Sequence, residues 1–219
     1  MNITRFFTAS ALALALSLLG GCVTPVGTNP NPVAYKPKNP SAVRIKVSLS
    51  KQQVYVMEGD QPLLVAATCV GVPGKPTPIG NFRVTTKIAH KRSASYGFYG
   101  KGGTWVPAKA GAGSGTYVGY PMPYWVEFAP QYGFHLGCVW PVPHSHGCLR
   151  LHKNVAPKFF ALAREGTPVN IAVSQPEDLT IGKSVPRPVD YADPDPESSI
   201  LCSDRVFYTP QGELLVERP

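Results

Sequence analysis

HLGCVWPVPHSHGCLRLH, residues 135–152, holds four of the chain's five histidines and two of its five cysteines. Three chemistries would use such a cluster: a metal site, a disulfide staple or a thiol nucleophile. A zinc site wants three or four His or Cys ligands converging in space. His144 and His146 would share a face in a strand, as would His146 and Cys148, but Pro141, Pro143 and Gly147 favour an irregular turn. Neither a C-x2-C pair nor an H-E-x-x-H motif is present. The stretch therefore reads as holding no metal, and no cofactor is expected. A Cys138–Cys148 bridge would close the loop but leave the clustered histidines without a purpose, so it ranks second.

The thiol reading uses every part. A cysteine attacks as thiolate, and a free thiol, with a pKa near 8.5, is mostly protonated at neutral pH. It needs an imidazole or backbone dipoles beside it. His146 lies two residues before Cys148, and His135 ends the preceding apolar segment. Gly147 lets the chain turn tightly and present N–H groups, which can hold the oxyanion of a tetrahedral acyl intermediate. Thiol, imidazole and small-residue turn together point to acyl transfer through a thioester.

Outward from this motif the chain reads as mainly β. VRIKVSLS alternates Val43, Ile45, Val47 and Leu49 with polar residues, the pattern of a half-buried strand. QQVYVMEGDQPLLVAATCVG reads as two strands around Glu58-Gly59-Asp60. After the rigid loop VPGKPTPIG comes NFRVTTKIA, a further strand with Phe82, Val84 and Thr86 on one face. Residues 93–123 are rich in Gly and Ser with Tyr96, Phe98, Tyr99, Trp105, Tyr117 and Tyr120 interspersed. Such a loop suits a lid or one wall of a groove, or else a hairpin whose aromatics cover the core. YWVEFAP and YGFHLG are short strands. KNVAPKFFALAREG has a helical period through Val155, Phe159 and Leu162, with Asn154 to cap it and Gly166 to end it. PVNIAV is a last strand. These segments define one sandwich-like β domain over residues 43–174, followed by a Pro-rich and acidic tail, 175–219, packed over the domain or leading away from it.

The first 21 residues read as an export signal: Arg5, an apolar run from Phe6 to Leu19, then Leu19-Gly20-Gly21-Cys22. The glycines before Cys22 match the cleavage pattern of a bacterial lipoprotein, in which the cysteine is acylated. Residues 22–42 carry recurrent prolines without hydrophobic period and read as an extended tether, which at about 3 Å per residue would reach roughly 60 Å. Outside the cytoplasm disulfides are permitted, so Cys69, Cys138 and Cys202 are open to pairing. The chain is basic, with formal charge +8 and pI near 9.3. Its cations are scattered and no aromatic-plus-basic ribbon for single-stranded nucleic acid is visible. An anionic polymer or an anionic membrane surface fits such an exported protein better.

Ser145-His146-Gly147-Cys148-Leu149-Arg150 resembles the signature of the L,D-transpeptidases of the YkuD type: Ser or Thr, His-Gly-Cys, an apolar residue, then Arg or Asn. The resemblance runs on through VRIKVSLSKQQVYV, TPIGNFRV, MPYW, GFHLG and GTPVNI, and so covers most of the domain. It implies a β-sandwich-like enzyme that takes an acyl group from a peptidoglycan stem peptide and passes it to an amine, on another stem or on a wall-attached protein. It implies Cys148 as nucleophile, His135 as general base and later acid, and His146 and Gly147 as the turn. The Gly147 and Cys148 N–H groups would hold the oxyanion. Ser145 and Arg150 are expected to shape the site or bind the donor, Tyr124 to contact substrate, and carbapenems to acylate Cys148. The chain departs from the pattern in placing Leu136 directly after His135, and in a shorter stretch from that histidine to the cysteine, which makes His144 the reserve base. His144 and His152 otherwise have no assigned role. Val23 after Cys22, in place of the Asp that retains lipoproteins in an inner membrane, favours an outer-membrane anchor. A hydrolase using the same site, or a wall-binding lipoprotein, are the alternatives.

Overall fold

The computed structural model describes residues 29–208 and 212–219. The export signal and Cys22 lie outside them. In chain order the elements are β1 (Val43–Ser48), β2 (Gln53–Glu58), β3 (Gln61–Ala67), β4 (Gly80–Arg83), β5 (Thr86–Lys101), β6 (Thr104–Lys109), β7 (Thr116–Ala129), β8 (Tyr132–Leu136), β9 (Leu149–Leu151), α1 (Ala156–Leu162), β10 (Pro168–Ala172) and a single-turn α2 (Ser198–Leu201). They form two five-stranded sheets, ordered β3-β2-β1-β10-β4 and β6-β5-β7-β8-β9. β1 pairs parallel with β10, and β8 parallel with β9; the other pairs are antiparallel. The sandwich-like β domain expected from the sequence is present.

The alternating apolar residues explain the layers. Val43, Ile45 and Val47 of β1, with Val169 and Ile171 of β10, meet Val126, Phe128 and Phe134 of the second sheet in one core. α1 joins that core through Phe159, whose ring lies 4.5 Å from that of Phe134. NFRVTTKIA is not one strand. The chain leaves the first sheet at Val84, whose N–H donates to Thr167, and enters the second at Thr85, whose N–H donates to Glu127. The buried Val84 sits at this crossover, which is why the apolar alternation runs through it unbroken.

α1 is shorter than its period suggests. Its N-cap is Val155, without a side-chain cap. Asn154 instead donates its side-chain amide to the Pro30 carbonyl. That contact corrects the tether as well, because residues 29–42 are packed on the domain. Ala34 is buried, Tyr35 bridges Val216, and Lys158 donates to Asn31 and Pro32.

The segment 93–123 is a hairpin extension of β5, β6 and β7 rather than an irregular loop. Its aromatics knit the extension to itself: Tyr99 packs on Tyr117 at 5.2 Å, and the Trp105 ring fills the space beside Gly100.

The tail is part of the fold. Asp178 accepts from the hydroxyls of Ser48 and Tyr55, which buries Tyr55 on the outer face of the first sheet. The Arg187 guanidinium donates to the carbonyls of Lys51, Gln52, Thr68 and Trp140. One side chain thus ties the tail to the β1–β2 turn, the end of β3 and the loop before Cys148. Arg187→Ala would leave those carbonyls without their charged partner, at a cost on the order of 2 kcal/mol. A lowered urea midpoint with unchanged slope is the expected result; an unchanged midpoint would mean that the tail is not held there.

Candidate active site

Strand alternation builds the site. In β8, Phe134 enters the core while Gly133 and His135 face the other way; in β9, Leu149 and Leu151 enter the core and Arg150 faces out. The parallel register sets Phe134 beside Leu149 and His135 beside Arg150. Cys148 lies in the bend just ahead of β9, and its thiol, bonded to the Gln131 carbonyl, sits among Glu127, Gly133 and Arg150, on the face that carries His135. On the other flank β7 brings Glu127 opposite Gly133. Trp125 comes with it, its ring centroid 6.1 Å from that of His135. Trp125, Glu127, Gly133, His135, Cys148 and Arg150 thus share one face of the second sheet.

Cys148 is half-buried, and its thiol donates to the Gln131 carbonyl at 3.7 Å. Gln131 turns that carbonyl inward from a left-handed conformation, φ 68°. Burial pushes the thiol pKa up, a backbone hydrogen bond from Gly133 and the nearby Arg150 pull it down, and Glu127 pushes it up again. His135 is 7% exposed. Its Nδ1 lies 2.8 Å from the Leu136 carbonyl, to which it donates in the neutral ring, leaving the lone pair on Nε2. Burial takes the imidazole pKa down to about 4; the Leu136 carbonyl opposes this and Arg150 adds to it. Both groups are therefore neutral at rest.

The turn ahead of Cys148 is held by its own residues and by VPGKPTPIG. Gly147 has φ 109°, and a Cβ there would stand 2.5 Å from the Tyr132 ring. Ser145 is buried, accepts from the Gly147 N–H at 3.0 Å and donates to the Cys148 carbonyl at 2.6 Å. Thr77 donates to the Gly147 carbonyl at 2.9 Å and accepts from the Gly71 N–H at 3.0 Å. Two expectations change here. The Gly147 N–H is spent on Ser145, so the expectation of two oxyanion donors is reduced to the Cys148 N–H. Ser145 shapes the turn from beneath and does not present its hydroxyl to a substrate.

The remaining candidates separate. Arg150 keeps its guanidinium near the site while its backbone pairs with Cys69 in both directions, at 3.0 and 3.1 Å. His146 is exposed, its ring 5.4 Å from that of Tyr96 at the base of the hairpin extension. Burial and the surrounding cations, led by Lys75, lower its pKa. His144 lies flat on Trp140 at 3.9 Å. His152 is buried, accepting from the Asn154 N–H at 3.2 Å. Tyr124 does not reach the site face: its ring packs edge-on against Phe160 of α1, at 5.7 Å, on the core side of β7. Cys69, Cys138, Cys148 and Cys202 are all free, so the Cys138–Cys148 bridge is not formed. No group of three or more His, Cys, Asp or Glu placed to hold a metal ion occurs among the described residues. Glu127, Gln131, Gly133 and Thr77 were not foreseen; the alternation of YWVEFAP and YGFHLG carried the signal for Glu127 and Gly133.

The profile of the YkuD family, the L,D-transpeptidase catalytic domain, matches residues 42–171. No curated protein sequence matches the chain. Solved structures do. An L,D-transpeptidase from Stackebrandtia nassauensis is 20% identical over 65% of this chain and 60% of its own, with a TM-score of 0.46. A mutant L,D-transpeptidase from Enterococcus faecium is 24% identical over 60% of this chain and 50% of its own, at 0.45. L,D-transpeptidase 1 from Mycobacterium tuberculosis is 21% identical over 60% of this chain and 61% of its own, at 0.45. The match therefore spans about half to three-fifths of those proteins' length. With the family profile covering more than half of its residues, the chain belongs to the YkuD family of L,D-transpeptidase catalytic domains.

Proposed function

We propose that this protein is a peptidoglycan L,D-transpeptidase working through a thioester on Cys148. The observation that supports the reading is the placement of Cys148, just ahead of β9, and His135 of β8 on one face of the second sheet, with the imidazole Nδ1 committed to the Leu136 carbonyl. In the first half-reaction the sulfur attacks the donor peptide carbonyl and the thiol proton passes to His135 Nε2. The carbonyl π electrons move onto oxygen, held by the Cys148 N–H. As the C–N bond breaks, His135 returns the proton to the leaving amine. In the second, an acceptor amine attacks the thioester and gives its proton to His135, and the thiol is reformed. Because both groups rest neutral, the proton moves as the C–S bond forms, not before it. Arg150 supplies positive charge beside the developing anions. The amine belongs to another stem peptide or to a wall-attached protein. Water in its place would make the same site a hydrolase. Acylation at Cys22 would anchor the exported enzyme in the envelope, in an outer membrane where the cell has one.

Incubation with purified muropeptides and mass spectrometry tests this. Cross-linked products from the native chain and none from Cys148→Ala are expected. A carbapenem should add once to the native protein and not to Cys148→Ser; an adduct on Cys69 or Cys138 would show that the wrong thiol has been chosen.

The depressed His135 pKa sets a pH dependence. Only the neutral ring can accept the thiol proton, so carbapenem acylation should stay high below pH 6.5 and fall as pH drops through about 4. His135→Ala should slow acylation by at least roughly a hundredfold, and His144→Ala should not. An acid limb centred near 6.5, or the reverse order of the two variants, would move the base elsewhere.

A further inference from the structure

Residues 190–207 lie beyond the segment matched by the family profile, yet they are fastened on both sides of the catalytic face. At one end Asp190 accepts from the Val139 N–H at 3.1 Å, and the Tyr191 ring meets Trp140 at 5.4 Å. Both anchors belong to the loop between β8 and Cys148. At the other end Arg92 of β5 donates to the carbonyls of Leu201 and Ser203, each at 2.9 Å. Phe207 stacks on His90 at 4.9 Å and lies under the Arg92 guanidinium, also at 4.9 Å. Leu201 and Phe207 are buried.

Register fixes the face. Ile88 pairs with Trp125, His90 with Pro123 and Arg92 with Pro121. Ile88, His90 and Arg92 therefore point to the side that carries Trp125, His135, Cys148 and Arg150. In the order β5-β7-β8-β9, a segment fastened to the end of β8 and to β5 must pass over β7 on that side. It passes level with Pro121–Pro123, beyond His135 and away from Cys148. Asp195 comes within electrostatic reach of Tyr120 and Cys138 there, as does Arg150. The far end, by Gln131 and Gly133, carries no such crossing from this segment.

We propose that residues 190–207 form a strap that bounds the His135–Arg150 end of the catalytic face, so that Cys148 is reached by peptide chain ends and not by chains running through. This selectivity rests on the L,D-transpeptidase reading of the site. A single uncross-linked stem has a free end to lay against a face bounded at one end. A stem already cross-linked continues past its reacting residue and would meet the strap.

The test compares purified disaccharide-tetrapeptide monomers with their cross-linked dimers as substrates, in the full-length native chain and in Phe207→Ala and Arg92→Ala. The native chain is expected to consume dimers at least about tenfold more slowly than monomers. Each variant, by loosening the strap, should narrow that ratio at least about threefold, with monomer turnover kept within about twofold. Phe207→Leu, which keeps an apolar plug, should retain the native ratio and guards against a folding defect. Equal use of monomers and dimers by the native chain, or an unchanged ratio in folded variants, overturns the strap. Absence of any acylation of native Cys148, by muropeptide or carbapenem, would instead overturn the function on which it rests.

Discussion

The pairing of β8 with β9 spans three residue pairs, and the chemistry depends on it. Its register makes Phe134 and Leu149 core residues and His135 and Arg150 site residues at the same stroke. A slip of one residue would exchange the two faces, sending the imidazole into the sandwich and a phenylalanine to the substrate. So short a ladder needs outside support. It comes from the core beneath, where Phe134, Leu149 and Leu151 are fully buried, and from the other edge of β9, where Cys69 pairs with Arg150. Cys69 is thus a small apolar residue within a structural clamp, a different use of a thiol from that at Cys148.

The turn ahead of Cys148 follows the same economy of short contacts. Gly147 adopts a conformation closed to other residues and is approached by the Tyr132 ring, so it has neither steric nor torsional room for a side chain. Ser145 and Thr77 satisfy the polar groups of the peptide units on either side of it. A neutral thiol and a neutral imidazole are what such a packed surround favours, since burial disfavours the charged form of each. His135, the proposed acid-base partner, is held in position by Leu136, the residue that departs from the usual family pattern, through its backbone carbonyl.

Much of this was legible in the sequence. Alternation in VRIKVSLS, YGFHLG and PVNIAV gave the strands, and a cysteine, two histidines and a glycine in a proline-bounded stretch pointed to the candidate site. What the sequence hid was what depends on partners far along the chain. Val84 continues an apolar pattern while the backbone changes sheets around it. Asn154 has the chemistry of a helix cap but finds a carbonyl at Pro30. Tyr124 lies in a motif yet faces α1, because its left-handed backbone, φ 59°, and the pleat turn it to the core side. The tail, lacking periodicity, gave no sign that Asp178, Arg187 and Asp190 are built into the body of the domain.

The packing of residues 29–36 against β3, α1 and the final residues alters the geometry of attachment. A tether of 22–42 would let the enzyme range deep into the wall. With Asn29 held at the surface by its contact to Val189, six residues, 23–28, separate the domain from Cys22. Fully extended they span about 20 Å. If Cys22 carries lipid, as proposed, those residues would hold the domain as a body moored beside its membrane. On the proposed function, the enzyme's territory would then be the face of the wall that lies against the bilayer.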